Sequence, residues 1–293
     1  MSYSSLTVFA NFRIDNKERF EIMKISFNSF SKISTSKWVI NVRGKFKNEV
    51  VEFLRRELGE KLSANQLESK KGWFSDSAKI LPQIETEYIL FWVEDHINLV
   101  SVSKYETILK DMKEFDVDYL LYSWFHKEIK DIYSHIDKID TNNISIYKMN
   151  KENANIVKKK RGSLFYMISM QSITTSKFFK NIILKPPKFR SWPKETPFDF
   201  EKISSVNSFY PFKSALPKFE LFACLDDDNG VHGYSLKSRG YYEEIESNDS
   251  LRELRLSQSK GRNVLLKKIV PNLIYVYLSK FKQIINRIIY SLN

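Results

Sequence analysis

Two adjacent carboxylates and a histidine end the most strongly apolar run in the first half of the chain. The run covers residues 88–93, and Glu94, Asp95 and His96 follow it directly. Carboxylate oxygens at the end of a strand are ligands that Mg²⁺ or Mn²⁺ prefers, with water and a diphosphate completing the coordination. Such a cation neutralises charge on a departing nucleotide. Acidic residues also favour the first turn of a helix, where they interact with its dipole, so the dipeptide alone leaves both interpretations open.

Polar side chains also follow the other predicted strands. Ligands of an open parallel sheet bind beyond the carboxyl ends of its strands, which makes these positions informative. They are Asn11, Arg13 and Asp15 after the first strand, Asn41, Arg43 and Gly44 after the second, and Ser123 and His126 after the fourth. Every strand that leaves the core meets polar residues, so exit into solvent also explains each position taken alone.

The elements that position these residues alternate short apolar runs with amphipathic segments. Strands are predicted at residues 6–9, 38–42, 88–93 and 117–124, helices at 17–30, 46–58, 76–83 and 104–115, and a polar loop at 59–72. This alternation is typical of parallel strands covered by helices. It predicts an α/β fold with a mostly parallel central sheet and right-handed crossovers.

The alternation stops after residue 140. Residues 144–149, 164–170 and 219–224 have the composition of strands, residues 174–182 that of a short helix, and the basic run 158–161 lies between the first two strands. Four of the eight prolines fall between Pro186 and Pro197, which favours a shaped loop over regular structure. Such loops commonly carry binding groups.

Composition restricts the partners and the chemistry. The net charge of +12 favours anionic partners such as nucleotide phosphates, nucleic acid or an anionic membrane surface. With Cys224 as the single cysteine, we expect neither an intramolecular disulfide nor a cysteine-based zinc site, and a reducing compartment fits. The chain shows no Walker loop, no His-Glu-x-x-His helix and no Gly-x-Ser-x-Gly elbow. It also shows no signal peptide and no apolar run of about 18–20 residues, so a cytoplasmic protein without a spanning helix is expected.

The order of elements and the acidic strand end resemble those of the GT-A glycosyltransferases over most of residues 5–240. The resemblance implies a GT-A (Rossmann-like) sheet flanked by helices, a nucleotide-sugar donor, and a divalent cation, Mn²⁺ or Mg²⁺. Residues 10–15 correspond to the family's donor-binding loop, and Glu94, Asp95 and His96 correspond to its acidic metal and diphosphate motif. The usual motif is Asp-x-Asp, and His96 stands here at its third position.

The resemblance also implies roles further along the chain. Residues 197–202 look like the acceptor-side segment that carries a carboxylate base, which would remove the proton of the acceptor hydroxyl; solvated acids at the start of a helix would explain the same residues. His232 and the basic residues after it look like a late segment that closes on the donor diphosphate. The candidates are Asp199, with Glu201 second, for catalysis; Asn11, Arg13, Asp15, Arg43, Asp76, Lys237 and Arg239 for donor binding; and Glu94, Asp95, His96 and His232 for the metal.

The C-terminal segment has a different composition. Residues 263–293 contain five cations and no acid, and apolar residues from Ile274 to Ile288 line one helical face. A basic amphipathic helix of this kind favours the surface of an anionic leaflet. Packing on its own domain or on a second subunit, in a homo-oligomer, is the alternative. We therefore expect a catalytic domain at residues 1–260 and a helical tail at 261–293.

These observations predict a glycosyltransferase that moves a sugar from a nucleotide-sugar donor to a glycan or lipid-linked glycan, in polysaccharide biosynthesis. We expect a cytoplasmic protein, peripheral on the inner face of the cytoplasmic membrane. One alternative is a nucleic-acid-binding module, because the charge, 15 Tyr and 22 Phe offer a stacking surface; no such motif is present, so no nucleic-acid partner is expected. The other is a nucleotidyltransferase, which would need a basic or glycine-rich loop after the first strand, where only Arg13 and Lys17 stand.

Overall fold

A computed structural model describes most of the first 241 residues. The described residues are 6–68, 72–121, 133–134, 136–161, 171–187, 192, 194–197, 199–200, 209–225, 236 and 239–241. Contacts divide the chain into two units, Met1–Glu243 and Glu244–Asn293, and every described residue belongs to the first. The predicted boundary after residue 260 and the tail helix at 261–293 lie outside the described residues and stay predictions.

The described elements alternate strands and helices, as the sequence pattern predicts. The strands are β1 (Leu6–Arg13), β2 (Lys37–Arg43), β3 (Leu62–Gln66), β4 (Tyr88–Phe91), β5 (His96–Asn98), β6 (Tyr119–Leu120), β7 (Lys138–Asp140), β8 (Ile144–Met149), β9 (Ser172–Thr175), β10 (Phe212–Pro217) and β11 (Phe222–Cys224). The helices are α1 (Lys17–Phe30), α2 (Lys47–Leu58), α3 (Trp73–Ile80), α4 (Val102–Glu114), α5 (Lys151–Arg161) and α6 (Ser176–Leu184).

Two sheets form within the described residues. The larger has nine strands in the order β3-β2-β1-β4-β9-β6-β10-β8-β7. Strands β1 to β4 are mutually parallel, whereas β9 and β8 run antiparallel to the strands beside them. The smaller sheet pairs β5 with β11 in antiparallel fashion. The mostly parallel α/β sheet predicted from sequence is confirmed.

Helices cover both faces of the large sheet and enclose two hydrophobic clusters. Alternate residues of β1 point into different clusters: Val8 and Ala10 pack with residues of α1, α2 and α4, and Phe9 packs with residues of α3, α5 and α6. The strand is therefore buried on both sides, as expected for a central parallel strand. Because side chains alternate along a strand, its polar carboxyl end also presents groups to both faces.

Helix α1 follows from a cap and an apolar stripe. The side chain of Asn16 accepts a hydrogen bond from the Arg19 backbone N–H at 2.8 Å, which satisfies a donor that the first turn leaves open. Met23, Phe27 and Phe30 repeat at helical spacing and are buried against the sheet. The cap sets where the helix begins, and it places Arg19 in the first turn, at the carboxyl end of β1.

Some predicted elements are confirmed and others need correction. Helix α1 and strand β8 have the predicted bounds. The prediction of a polar loop at 59–72 was wrong, because these residues contain β3. This edge strand is only partly covered and therefore has no continuous apolar run. The basic run 158–161 follows β8, as predicted, and forms the end of helix α5. The helix predicted from residue 174 begins at Ser176, because Thr175 ends β9 and caps α6.

The predicted strand at 164–170 and the end of the one at 117–124 lie outside the described residues. None of the helices in the described part of the chain combines the length and the hydropathy of a membrane span.

Candidate functional site

The acidic strand end is a buried, charge-paired group. The backbone leaves β4 after Phe91, with the Trp92 N–H bonded to the Phe9 carbonyl of β1 at 2.8 Å, and carries Glu94 and Asp95 onto the α1 side. There Arg19 donates from Nη2 to Glu94 Oε1 at 3.0 Å and to Asp95 Oδ2 at 3.3 Å. Glu94 is only 8% exposed. One guanidinium thus neutralises part of the negative charge of two adjacent carboxylates.

Asp95 also contacts His96, the first residue of β5. Its Oδ1 atom lies 2.6 Å from His96 Nδ1, and its backbone carbonyl accepts from the Leu225 N–H at 2.7 Å. In the small sheet, His96 is directly opposite Cys224 of β11. One ligand atom from each of Asp95, His96 and Cys224 lies within 4.8 Å of the others. The acidic motif is therefore continuous with a histidine and a thiol.

The two carboxylates differ in acidity because their surroundings differ. Burial and the charge of Asp95 raise the pKa of Glu94 to about 7, although Arg19 opposes the shift. Burial would also raise the pKa of Asp95, but the hydrogen bond with His96 and the charges of His96 and Arg19 hold that pKa below its ordinary value. Asp95 therefore stays ionised at neutral pH, whereas the Glu94 carboxyl group is partly protonated.

Three of the predicted donor-binding residues meet in a buried polar cluster on the α3 side of the sheet. Arg43 Nη2 lies 2.6 Å from Asp76 Oδ2, and Nη1 of the same guanidinium donates to Asn11 Oδ1. Asn11 also donates to the Trp73 carbonyl at 3.0 Å. Burial would raise the pKa of Asp76, but Lys79 and Arg43 hold it below its ordinary value. The cluster fixes the N-terminus of α3 against the ends of β1 and β2.

The other two donor candidates are Arg13, which ends β1 as the register partner of Arg43, and Asp15, which follows the strand. Arg13 and Asp15 form an exposed ion pair with each other. The acidic group with Arg19 and the cluster around Arg43 share the carboxyl edge of the sheet, but they lie on opposite faces of it, one beside α1 and the other beside α3. A ligand that reaches both groups has to lie along this edge.

A cavity of about 670 Å³ lies beside the polar cluster. Asn41 and Asp76 link it to the strand ends, because the Asn41 side chain donates to the Asp76 carbonyl at 3.0 Å. Its lining is rich in groups that form hydrogen bonds: Asn41, Asn65, Gln66, Gln83, Arg55, Lys79 and Asp76.

Asp199 is buried and holds a turn. Its side chain accepts hydrogen bonds at Oδ2 from the backbone N–H groups of Glu195 at 2.7 Å and Thr196 at 2.9 Å. Its carbonyl accepts from Trp192 Nε1 at 2.8 Å, and the residue is 2% exposed. This geometry stabilises the turn, and the catalytic role stays a prediction.

Arg239 pairs with Glu220, with Nη2 at 2.7 Å from Oε2. The remaining candidates, Glu201, His232 and Lys237, lie outside the described residues, as do Ser123 and His126.

Arg19 and Cys224 were not among the site residues predicted from sequence. Arg19 stands in the first turn of the helix that follows β1, which is at the carboxyl edge by topology, and its position after the Asn16 cap is a local clue. Cys224 ends a predicted strand, but only the pairing of β11 with β5 places it opposite His96.

Comparison with known proteins bears on the fold. No protein-family model and no curated protein matches the chain. Among solved structures, S. aureus TarS 1–349 matches 96% of this chain and 78% of its own length, with a TM-score of 0.50 and 13% identity. The chain has a TarS-like fold. This result confirms the predicted GT-A type of α/β architecture.

Two further structures are similar at lower TM-scores. TarS 1–349 in complex with UDP-GlcNAc has a TM-score of 0.47 and 14% identity, over 74% of this chain and 57% of that one. The mannosyltransferase PcManGT from Pyrobaculum calidifontis, in complex with GDP-Man and Mn²⁺, has a TM-score of 0.47 and 8% identity, over 80% of this chain and 60% of that one. The chain thus spans less than two thirds of each of these two chains.

Proposed function

We propose that this chain is a glycosyltransferase that transfers a sugar from a nucleotide-sugar donor. The observation that carries the proposal is the buried Glu94–Asp95 pair with Arg19, at the carboxyl end of β4 in a TarS-like sheet. Ligands of open α/β sheets bind at this edge, and TarS has been crystallised with UDP-GlcNAc. A site that concentrates acids and a guanidinium there suits a diphosphate with its counter-ion.

Asp95 is the proposed ligand for a divalent cation, Mn²⁺ or Mg²⁺, with Glu94 beside it. The donor set fits, because the two carboxylates already converge on one positive group, the Arg19 guanidinium. Asp95 is the better ligand because it is the more acidic of the two. The cation would neutralise charge on the departing nucleotide diphosphate. Arg19 lies close enough to the pair to share that role.

The donor's nucleoside is proposed to bind on the α3 side of the same edge. Asn41, Asn65 and Gln66 offer amide groups to the cavity beside the Arg43–Asp76 pair, and amides can donate to and accept from a base edge. Asn11, Arg43 and Asp76 would act by holding the strand ends and α3 in place. Arg13, Asp15, Lys237, Arg239 and His232 remain candidates for further contacts with the donor.

A carboxylate base would accept the proton of the acceptor hydroxyl. Asp199 and Glu201 remain the two candidates. Because Asp199 accepts two backbone hydrogen bonds, a test of its role has to separate stability from turnover.

The acceptor is proposed to be a glycan or lipid-linked glycan in polysaccharide biosynthesis, reached from the inner face of the cytoplasmic membrane. Residues 263–293 carry five cations and no acid, and a basic segment gains about 1 kcal/mol per cation near an anionic leaflet. Truncation before Asn263 should abolish co-sedimentation with anionic vesicles and leave the melting temperature unchanged. Loss of stability with unchanged vesicle binding would favour a packed helix or a homo-oligomer.

A thermal-shift screen of UDP, GDP, CMP and dTDP, each with and without Mn²⁺, tests the proposed donor site. A ligand that binds the folded state raises the melting temperature by mass action, so we expect one nucleotide to raise it and Mn²⁺ to increase the shift. The Asp95→Asn variant should lose the Mn²⁺-dependent part, and the surface variant Glu57→Gln should keep it. If no nucleotide shifts the wild-type protein, the proposed function is wrong.

A further inference from the structure

We propose that Asp95, His96 and Cys224 form a mixed oxygen, nitrogen and sulfur site that selects a thiophilic divalent ion such as Zn²⁺ over Mg²⁺. The inference shares Asp95 with the proposed function and concerns which cation that residue binds, but it does not depend on sugar transfer. The three ligand atoms lie within 4.8 Å of one another.

The backbone brings these residues together by strand pairing. His96 and Cys224 are direct partners in the antiparallel β5–β11 pair, so their side chains share one face at close spacing. The backbone N–H of Leu225, the residue after Cys224, donates to the Asp95 carbonyl at 2.7 Å. This hydrogen bond extends the register of the two strands to Asp95. The cluster therefore belongs to a paired, hydrogen-bonded sheet and needs no rearrangement of the backbone to form.

The side chains lie near the spacing that a cation requires. Zinc bonds of about 2.0–2.3 Å place the ligand atoms of a tetrahedral site roughly 3–4 Å apart. Asp95 Oδ1 and His96 Nδ1 are already 2.6 Å apart, so only small side-chain rotations separate this arrangement from a coordinated one. Asp95 contacts Arg19 through its other oxygen, Oδ2, which leaves that ion pair compatible with coordination through Oδ1.

The donor set determines the preference among cations. Mg²⁺ favours carboxylates, carbonyls and water, whereas imidazole nitrogen and thiolate sulfur favour zinc and the later transition metals. His96 is 2% exposed and Cys224 is 4% exposed, so a bound ion would replace solvation with protein ligands. Binding would release the thiol proton to solvent. A single cysteine cannot form a cysteine-based zinc site alone, which is why none was expected from the sequence. Folding places a histidine and a carboxylate beside Cys224.

Cobalt substitution tests the site in the full-length chain without any nucleotide. Cys224 is the single cysteine of the chain, so any thiolate-to-cobalt charge-transfer band in the near ultraviolet must come from it. We expect that band on titration with Co²⁺, its displacement by Zn²⁺, and no displacement by Mg²⁺. Cys224→Ser and His96→Gln should each abolish the band, and His135→Gln should keep it.

Competition titrations should show that Cys224→Ser weakens Zn²⁺ binding by about tenfold or more. Melting temperatures of the metal-free variants show whether each one folds. The proposal is overturned by a folded wild-type protein without the band, by a band that survives in His96→Gln, or by Zn²⁺ affinity unchanged in Cys224→Ser. The titration contains no nucleotide-sugar, so a positive result stands even if every nucleotide fails to bind. A negative result leaves the proposed function intact.

Discussion

Arg19 in the first turn of α1 donates from Nη2 to Glu94 Oε1 at 3.0 Å, across 75 residues of sequence. The contact joins the helix after the first strand to the acidic end of β4. A buried acid beside another acid is costly in its ionised form. The positive charge of the Arg19 guanidinium lowers this cost in the folded state.

Protonation of Glu94 should make stability depend on pH. Its pKa is raised from 4.5 to about 7 on folding, so the folded state holds a proton that the unfolded chain releases. The resulting stabilisation is complete below about pH 4.5 and is lost as pH rises through about 7. Glu94→Gln mimics the protonated acid, and the melting temperature of the wild type relative to this variant should fall by several degrees between about pH 5 and pH 8. A constant difference would contradict the assignment.

Arg19→Gln should enlarge this effect. Removal of the guanidinium takes away the charge that lowers the pKa of Glu94, so the variant should lose more stability at high pH than at low pH. Melting curves at about pH 5 and pH 8 measure it. Arg56→Gln, a change of an exposed cation on α2, is the matched control and should show no such dependence.

Asp95→Asn should reduce sugar transfer by about 100-fold or more, because a charge aimed at the diphosphate or its cation is lost. The amide keeps an oxygen near His96 and similar volume, so the melting temperature should fall by only a few degrees. Turnover and melting temperature are measured on the same preparation, with Glu57→Gln as a surface control. Near-normal turnover in Asp95→Asn would remove this residue from the site.

Asp199→Asn separates a turn-holding role from a catalytic one. The loss of charge weakens two hydrogen bonds from backbone N–H groups, and we expect the free energy of unfolding to fall by about 1–2 kcal/mol. Glu201→Gln is the matched comparison, assayed where both variants are folded. Transfer lost in one variant identifies the base; wild-type transfer in both places it elsewhere.

The Arg43–Asp76 pair should contribute far more to stability than the neighbouring Lys79–Asp76 pair. Asp76→Ala takes the carboxylate partner from a buried guanidinium, which costs about 3–5 kcal/mol. Lys79→Ala removes a partner whose side chain is 71% exposed, and exposed pairs contribute about 0–1 kcal/mol. Denaturant unfolding of both variants measures the difference, and equal losses would contradict the assignment.

Gly44 should tolerate no side chain. Its φ is +102°, and a Cβ atom there would lie 2.1 Å from the Ile14 carbonyl oxygen, so Gly44→Ala must displace the β1–β2 ends that carry Arg43. Gly59 also has a positive φ, of +55°, but a Cβ there meets nothing within 4 Å. Gly59→Ala should cost about 1–3 kcal/mol from backbone strain, because its ψ is −127°, and Gly44→Ala should cost more by denaturant unfolding. Similar costs would show that strain, not the close approach, decides.

Much of the fold could be predicted from the sequence because its causes are local. The apolar stripe and the Asn16 cap define α1, and apolar residues at four of six positions define β8. The same local pattern puts Glu94 and Asp95 at the end of a buried strand. Composition favoured an anionic ligand, and the order of elements indicated a parallel sheet with its site at the carboxyl edge.

Only the tertiary structure decided which distant residues complete that site. Arg19 reaches Glu94 because α1 packs against β5, the strand that follows the acidic pair, and Cys224 meets His96 because β11 pairs with β5 in one register. Strand pairing and helix docking depend on the whole set of buried surfaces, and no window of sequence encodes them. For the same reason β3 went unrecognised: its place at the sheet edge, rather than its own apolar content, makes residues 62–66 a strand.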